Sequence, residues 1–595
     1  MNRFSPVAFA AAALLATPVF AQQLERPSVP TSPTGLFPSS TMAVFEFSGL
    51  EACAAAAEND ALLSFIRQRF AEEMGQDPIE MVSGMALGEL DGALEQIGVS
   101  RSDVRQLLRS RIAFGASRLS FFDEDEPMPA LALAIEAKGN TAAVVERVAD
   151  QLFDLMISQV NPGIDLQRSS RTVQGTQLDI VKPRAELGSI GKAMVGDWMV
   201  LTSSESFLVD IVETANNGQR TVSDAKGLAW ARDNGGESLA SLWLNIGPFF
   251  DALGLILPYE ADPILEALGL NRLNGIMLDY SELPSGAGQD TLSIAADHTE
   301  DGVLAALVQG DLDMSVARYF PETTFAFGTV NLDSQKILQA FGGLIDALPG
   351  EARAEILEGF AEMSEELGAQ GMSLDGVRNT VAQIGNQVAF GINVQGGAIP
   401  DGLFFLGTRR EGFAEMIADL VQSQGMEVRE QTLEDVGTVR YLSVPDLPIS
   451  PAFVEVDGGL LFGTSPNVVK GAVRRAKSGE GCLTGTEDFQ SNAQPAADVA
   501  GMFHLRMRAV GPSVYANFLP LLKAGIRQEG APFDPDMLPD ADELEDLLED
   551  VSLVISRDPG GIRVRGSHQF STAQILSWVG SVLDEMMSTG LGEVR

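Results

Sequence analysis

Three histidines, two cysteines, one serine run and one acidic run are the residues of this chain whose types and spacing bear on chemistry. His298 and His568 each end an apolar run near the close of one half of the chain, so a pseudo-twofold pairing of the halves would bring two imidazoles towards a shared metal. His504 stands apart from both. No His-x-x-x-His, Cys-x-x-Cys or His-Glu-x-x-His spacing adds local ligands, and a structural role is the expectation for all three. Gly463-Thr464-Ser465-Pro466-Asn467 opens like a nucleophile elbow but lacks the closing glycine. Pro466 also has no N–H to offer an oxyanion, so a hydrolase of that kind is not expected. Asp534, Asp536, Asp540, Asp542 and Glu543 are hard oxygen donors suited to Ca²⁺. Pro532, Pro535 and Pro539 interrupt them, and a solvated linker leading into an acidic helix N-terminus is the simpler reading. No phosphate-cradling or dinucleotide-binding glycine run stands between strand and helix. These residues assign no catalytic residue, no cofactor and no metal ligand.

Cys53 and Cys482 leave two readings open. In an oxidising compartment they could pair and tie two halves of the chain together. Alternatively, one is a small buried residue on an alanine-rich helix and the other an unrelated loop thiol.

The elements that would position any of these residues occur twice. Arg111-Ile112-Ala113-Phe114-Gly115-Ala116-Ser117 returns, altered, as Gln387-Val388-Ala389-Phe390-Gly391-Ile392-Asn393. An earlier pair, Phe37-Pro38-Ser39-Ser40-Thr41-Met42-Ala43-Val44 and Phe320-Pro321-Glu322-Thr323-Thr324-Phe325-Ala326-Phe327, shares the pattern Phe-Pro-x-(Ser/Thr)-Thr-apolar-Ala-apolar. Proline is tolerated at the start of a strand, where its missing N–H breaks no ladder. Helical stripes follow each opening strand: Leu62, Phe65, Ile66 and Phe70 in the first half, Ile337, Leu338, Phe341, Ile345, Ile356, Phe360 and Met363 in the second. All are expected in the core. Later pairs are Val195–Ser204 with Val456–Ser465, whose terminal serines are expected helix caps, and Leu242-Trp243-Leu244 with Met502-Phe503-His504-Leu505. Gly115 and Gly391 are expected to admit close backbone approach. The fold expectation is α+β: two tandem related modules over residues 37–313 and 314–595, each a mostly antiparallel sheet with helices covering one face. An acidic helix is expected over residues 540–550, with Val551 on its apolar side.

Length, charge and address limit function. At 595 residues the chain exceeds a single core. Hydrophobic residues make up 45% and glycine adds 60 residues, which excludes disorder of the whole chain and fits large cores or an internal apolar cavity. The formal net charge of -42 repels nucleic acid and anionic lipid. Residues 1–21 carry Arg3, an apolar run from Val7 to Ala16 and a small residue at Ala21, the pattern of a secretory signal cleaved between Ala21 and Gln22. Residues 22–36, with Pro27, Pro30 and Pro33, read as an exposed linker. No later apolar run reaches the roughly 18–20 residues of a membrane helix. A periplasmic or secreted bacterial protein is expected.

The Phe-Pro opening, the export signal and the repeated strand–helix order together resemble a bacterial secreted family catalogued as domain of unknown function 3352. The resemblance covers most of the mature chain. It implies an exported α+β protein and brings no catalytic residue with it. Three functions follow from these readings: a non-enzymatic envelope protein that binds a partner or forms a scaffold; a carrier of an apolar ligand or lipid; and a hydrolase without a local motif.

Overall fold

The computed structural model describes residues 32–57, 60, 64–65, 67–69, 99–117, 129–159, 166–183, 188–217, 219–233, 237–253, 262–282, 288–297, 312–369, 373–393, 400–442, 449–492, 498–529, 538–545, 547–568 and 571–589. The expected signal with Ala21 and Gln22, most of the expected linker, and Leu62, Ile66 and Phe70 lie outside these residues. The chain forms two compact units that do not divide it at one point. The first contains Met1–Ile256, Leu273–Ala295 and Phe570–Arg595; the second contains Leu257–Arg272 and Ala296–Gln569.

Ten strands build the first unit's sheet: β1 (Ala43–Phe47), β2 (Ile112–Ala116), β3 (Leu131–Glu136), β4 (Leu166–Val173), β5 (Thr176–Pro183), β6 (Ile190–Val195), β7 (Trp198–Thr202), β8 (Glu237–Asn245), β9 (Leu273–Glu282) and β10 (Gly288–Ala296). They pair in the order β10-β9-β8-β1-β2-β3-β7-β6-β5-β4. The second unit holds β11 (Thr324–Asn331), β12 (Ile384–Asn393), β13 (Asp401–Thr408), β14 (Val428–Leu433), β15 (Gly437–Leu442), β16 (Ala452–Val456), β17 (Gly459–Gly463), β18 (Val499–Leu505), β19 (Val551–Asp558) and β20 (Gly561–Ser567). Their order is β20-β19-β18-β11-β12-β13-β17-β16-β15-β14, the first unit's order with ten added to every number. The described registers are antiparallel, and the architecture is α+β.

Helices cover both faces of the first sheet, not one. β3 runs Leu-Ala-Leu-Ala-Ile before Glu136, with Ala132 to Ile135 all buried, so both of its faces are covered there. Ala132 and Ala134 pack with Phe207, Leu208 and Ile211 of helix Glu205–Asn217. Leu133 and Ile135, pointing the other way, pack with Val145, Val148 and Phe153 of helix Ala142–Gln159 and Leu107 of helix Arg101–Arg109. Ser204 and Ser465 cap helices as expected, accepting from the amides of Phe207 and Val468 at 3.2 and 3.3 Å.

The Phe-Pro segments are anchors rather than linkers. Pro33–Gly35 is a buried turn, so the exposed stretch expected over 22–36 stops before it. Phe37 is fully buried against β2, where a Cβ added at Gly115 would sit 2.4 Å from its ring. In the second unit a Cβ at Gly391 of β12 would sit 2.3 Å from the ring of buried Phe320. The carbonyls of Phe37 and Phe320 accept from the amides of Val222 and Leu483, each at 2.9 Å. Only glycine leaves room for the ring.

The last helix, Thr572–Thr589, packs in the first unit on helix Leu50–Ala57. Asp290 caps it, accepting from the amides of Thr572 and Ala573 at 2.8 and 3.1 Å. Gly580 lets Cys53 approach so closely that a Cβ would meet the cysteine Cβ at 2.3 Å. Asp584 then receives two forked guanidinium contacts, from Arg105 at 2.9 Å and Arg109 at 2.8 Å. These contacts, opposed by burial, hold its carboxyl far below the usual carboxylate range. The five-residue helix Ala541–Glu545 replaces the longer acidic helix expected over 540–550, and Val551 opens β19 instead.

Two outcomes are expected. Gly115→Ala and Gly391→Ala should each destabilise the protein by about 1–3 kcal/mol through overpacking against a phenylalanine ring, read from chemical denaturation. Asp584→Asn should cost on the order of 2–3 kcal/mol, less than the 3–5 of a fully buried pair, because the Arg109 side chain is 39% exposed. Because folding depresses the Asp584 pKa, its contribution is complete above the unfolded value of about 3.9 and is lost as pH falls through the folded value. Stability curves of wild type and Asp584→Asn against pH should therefore stay separated above about pH 4 and draw together progressively as pH falls below it, towards the depressed folded value.

Candidate binding surface

Among the described residues, those singled out for chemistry are not brought together. Ser465 is occupied as a helix cap. His504 is fully buried on β18, edge-on to Phe489 with ring centroids 6.1 Å apart, and its Nε2 lies 4.0 Å from Asp550. His568 follows β20, while His298, Asp534 and Asp536 lie outside the described residues. Asp540 and Glu543 form a local cap, the Asp540 amide donating to the Glu543 carboxylate at 2.8 Å. Among the described residues no group of three or more His, Cys, Asp or Glu is placed to hold a metal ion. No helix among them is long and apolar enough to cross a membrane.

A polar cleft of about 820 Å³ opens in the second unit beside the turn Met314–Tyr319 and the ends of β11, β12 and β13. Its side chains hold one another. Asp333 caps helix Ser334–Ala347 through the amides of Gln335 and Lys336 at 3.0 and 3.3 Å. Arg409 donates to Asp333 and Asn386, both at 2.8 Å. Burial works against ionisation of Asp333, but the Lys336 amide, Arg409 and the Gln335 amide hold its carboxyl below the ordinary value. Gln387 donates to the Asp313 carbonyl at 2.7 Å and to Thr329 at 3.0 Å, tying the turn to two strands. Tyr319 stacks on Phe405 at 6.0 Å, with the Arg318 guanidinium 5.1 Å above the tyrosine ring. These contacts cap a helix and fasten strand ends.

A second feature faces outward. Directly paired residues across six strands form one row: Phe503 of β18, Gly328 of β11, Phe390 of β12, Phe404 of β13, Phe462 of β17 and Phe453 of β16. Direct cross-strand partners share a face, so five rings lie side by side. The Phe390 ring lies across Gly328, where a Cβ would be 2.4 Å away, and reaches Phe503 at 6.3 Å. Phe404 meets Phe462 at 6.1 Å, and Phe462 meets Phe453 at 5.8 Å. The row is open in the middle: Phe390 is 40% exposed and Phe404 36%, with Ile392 beside them at 36%.

The corresponding row of the first unit is closed. It runs Leu242, Phe45, Phe114, Leu133, Leu201, Lys192, and Leu133 and Leu201 are 2% and 1% exposed. Helix Ala142–Gln159 covers it with 18 residues, whereas the helix over the second row, Phe413–Ser423, has 11. At 1.5 Å per residue these span about 27 and about 16 Å. The shorter helix seats Phe413, Ala414 and Ala418 over Phe453 and Leu460 and does not bury Phe390 or Phe404.

Helical side chains expected in the core are exposed as well. Phe341 of helix Ser334–Ala347 is 59% exposed, and Ile356 and Met363 are 40% and 46% exposed, because helix Gly350–Ala369 stands against few neighbours and nearly every residue of it meets solvent. Their periodicity is helical, but periodicity shows only that a stripe exists, not what covers it.

No protein-family model, curated protein or solved structure matches the chain.

Both cysteines are free thiols, Cys53 at 1% and Cys482 at 4% exposure. Burial pushes the Cys53 thiol up to about 11 and raises Cys482 above its ordinary value, with Arg475 opposing the latter. Native protein at pH 8 should therefore react slowly with a disulfide-exchange reagent. The same protein denatured without reductant should release two thiol equivalents. A count of zero would establish a disulfide.

Proposed function

We propose that the chain is an exported periplasmic or secreted bacterial protein of the family catalogued as domain of unknown function 3352. In this reading it is built by duplication of one α+β module and works by binding rather than by catalysis. The first module keeps its sheet face closed, and the second holds an apolar ligand or partner against the open phenylalanine row. Support for duplication comes from the paired Phe-Pro and Ala-Phe-Gly motifs and from a ten-strand order common to both units. The single observation that carries the binding reading is the contrast between Phe404, 36% exposed, and its counterpart Leu133, 2% exposed. Selection for a stable core alone gives no reason to leave two aromatic rings uncovered in the centre of a sheet.

An apolar molecule lying along the row gains from both sides. Covering the open part of each ring contributes about 1 kcal/mol, a share of the 1.5–3 for full burial, and each ligand methylene adds about 0.8. A lipid-like chain is thus the second form of this reading, favoured by the length of the row.

Purified protein should show bound lipid in native mass spectrometry or take up palmitate when it is supplied. Phe390→Asp and Phe404→Asp should each weaken uptake by about tenfold. Leu420→Asp, exposed at 38% on helix Phe413–Ser423, should leave it unchanged. Absence of bound lipid together with absence of uptake would rule out the lipid form of the proposal.

A further inference from the structure

Helices Ser334–Ala347 and Gly350–Ala369 follow one another in the second unit, and helix Asp262–Leu268 packs on the first of them. The second of these carries six glutamates, Glu351, Glu355, Glu358, Glu362, Glu365 and Glu366, and one base, Arg353. All six glutamates are exposed, and Arg353 is paired with Asp346 at 2.6 Å. At 3.6 residues per turn the six carboxylates fall within an arc of about 100°, to one side of the line Ile356–Phe360–Met363. The helix therefore presents an apolar stripe with a one-sided acidic border, and on the preceding helix Phe341 is 59% exposed.

Charge decides what fits such a surface. An anionic lipid surface is repelled by the six carboxylates. A neutral apolar segment would desolvate the border without compensating it. A segment with an apolar face and lysines or arginines along one flank satisfies both parts at once, as in helix-in-groove recognition. We infer that the helix pair Ser334–Ala347 and Gly350–Ala369 is the docking surface for a cationic amphipathic helical segment of another protein. This surface uses elements other than the phenylalanine row, so either reading can fail without the other.

The test titrates the full chain into a fluorescently labelled amphipathic peptide of leucine and lysine, with leucine at helical spacing, and reads anisotropy. A matched leucine–glutamate peptide and phosphatidylglycerol vesicles serve as competing probes. The lysine peptide should bind with micromolar affinity that falls as salt rises. Glu355→Lys/Glu362→Lys/Glu366→Lys and Ile356→Ser/Met363→Ser should each weaken it by about tenfold. Glu411→Lys/Glu434→Lys/Glu480→Lys makes the same change of net charge elsewhere in this unit and should stay within about twofold of wild type. Melting curves accompany each variant, and the glutamine version of the first triple replaces it if the lysines lower stability. Equal loss in the control triple, equal binding of the glutamate peptide or the vesicles, or no binding of the lysine peptide would overturn the inference.

Discussion

The contact on which each unit depends is a phenylalanine ring laid flat where a neighbouring strand has no side chain. Phe37 occupies that place over Gly115, and Phe320 over Gly391. The ring fills the space a Cβ would take, so the segment before the first strand is locked to the sheet at its centre. From there the backbone carbonyl of each phenylalanine holds the short turn that follows the helix on that face, at Val222 and at Leu483. A local steric vacancy thus joins the start of the module, the middle of its sheet and a segment more than a hundred and fifty residues later. Close packing makes such a contact all-or-none, since an interior at crystal-like density has no slack with which to absorb a methyl group.

Above this common frame, the two units use the same strand order for different ends. In the first, an 18-residue helix seals the leucine-rich row. In the second, an 11-residue helix lies over a phenylalanine row and leaves its middle exposed. The change needs no new strand and no altered register. A longer helix over leucines goes with a buried face, and a shorter helix over phenylalanines goes with a presented one. The polar cleft shows the opposite economy: its charges are consumed in capping a helix and tying strand ends.

Much of the frame was legible in the residues, for identifiable reasons. β2, β3, β7, β12, β13 and β17 are short apolar runs with polar or glycine stops, and each was readable as a strand. The hairpins β4–β5 and β14–β15 were not. β4 and β14 are exposed on both sides over most of their length and show no alternation; the sign for the first was Gln174-Gly175, both at positive φ, the geometry of a tight hairpin turn. The two-sided covering of the sheet is legible in the apolar run Leu131–Ile135 of β3, whereas the antiparallel order alone suggests a sheet covered on one side. The phenylalanine row was invisible because its members, at 390, 404, 453, 462 and 503, become neighbours only once the register is known. Phe341 and Met363 were misplaced because a helical stripe looks the same whether a core or a partner covers it.

The route of the chain through the first unit has a consequence for how the protein is made. Arg105 and Asp584 are 479 residues apart in sequence, and Arg109 and Asp584 are 475. A chain that emerges from its N-terminus cannot complete its first unit until Asp584 has appeared. Until then helix Leu50–Ala57 lacks the neighbour that Gly580 fits to it, and two arginines wait without their carboxylate. Domain-by-domain folding during synthesis is therefore closed to this unit. Helix Thr572–Thr589 thus closes a unit begun more than five hundred residues earlier, and a chain cut before it retains every strand of that unit without the piece that finishes its beginning.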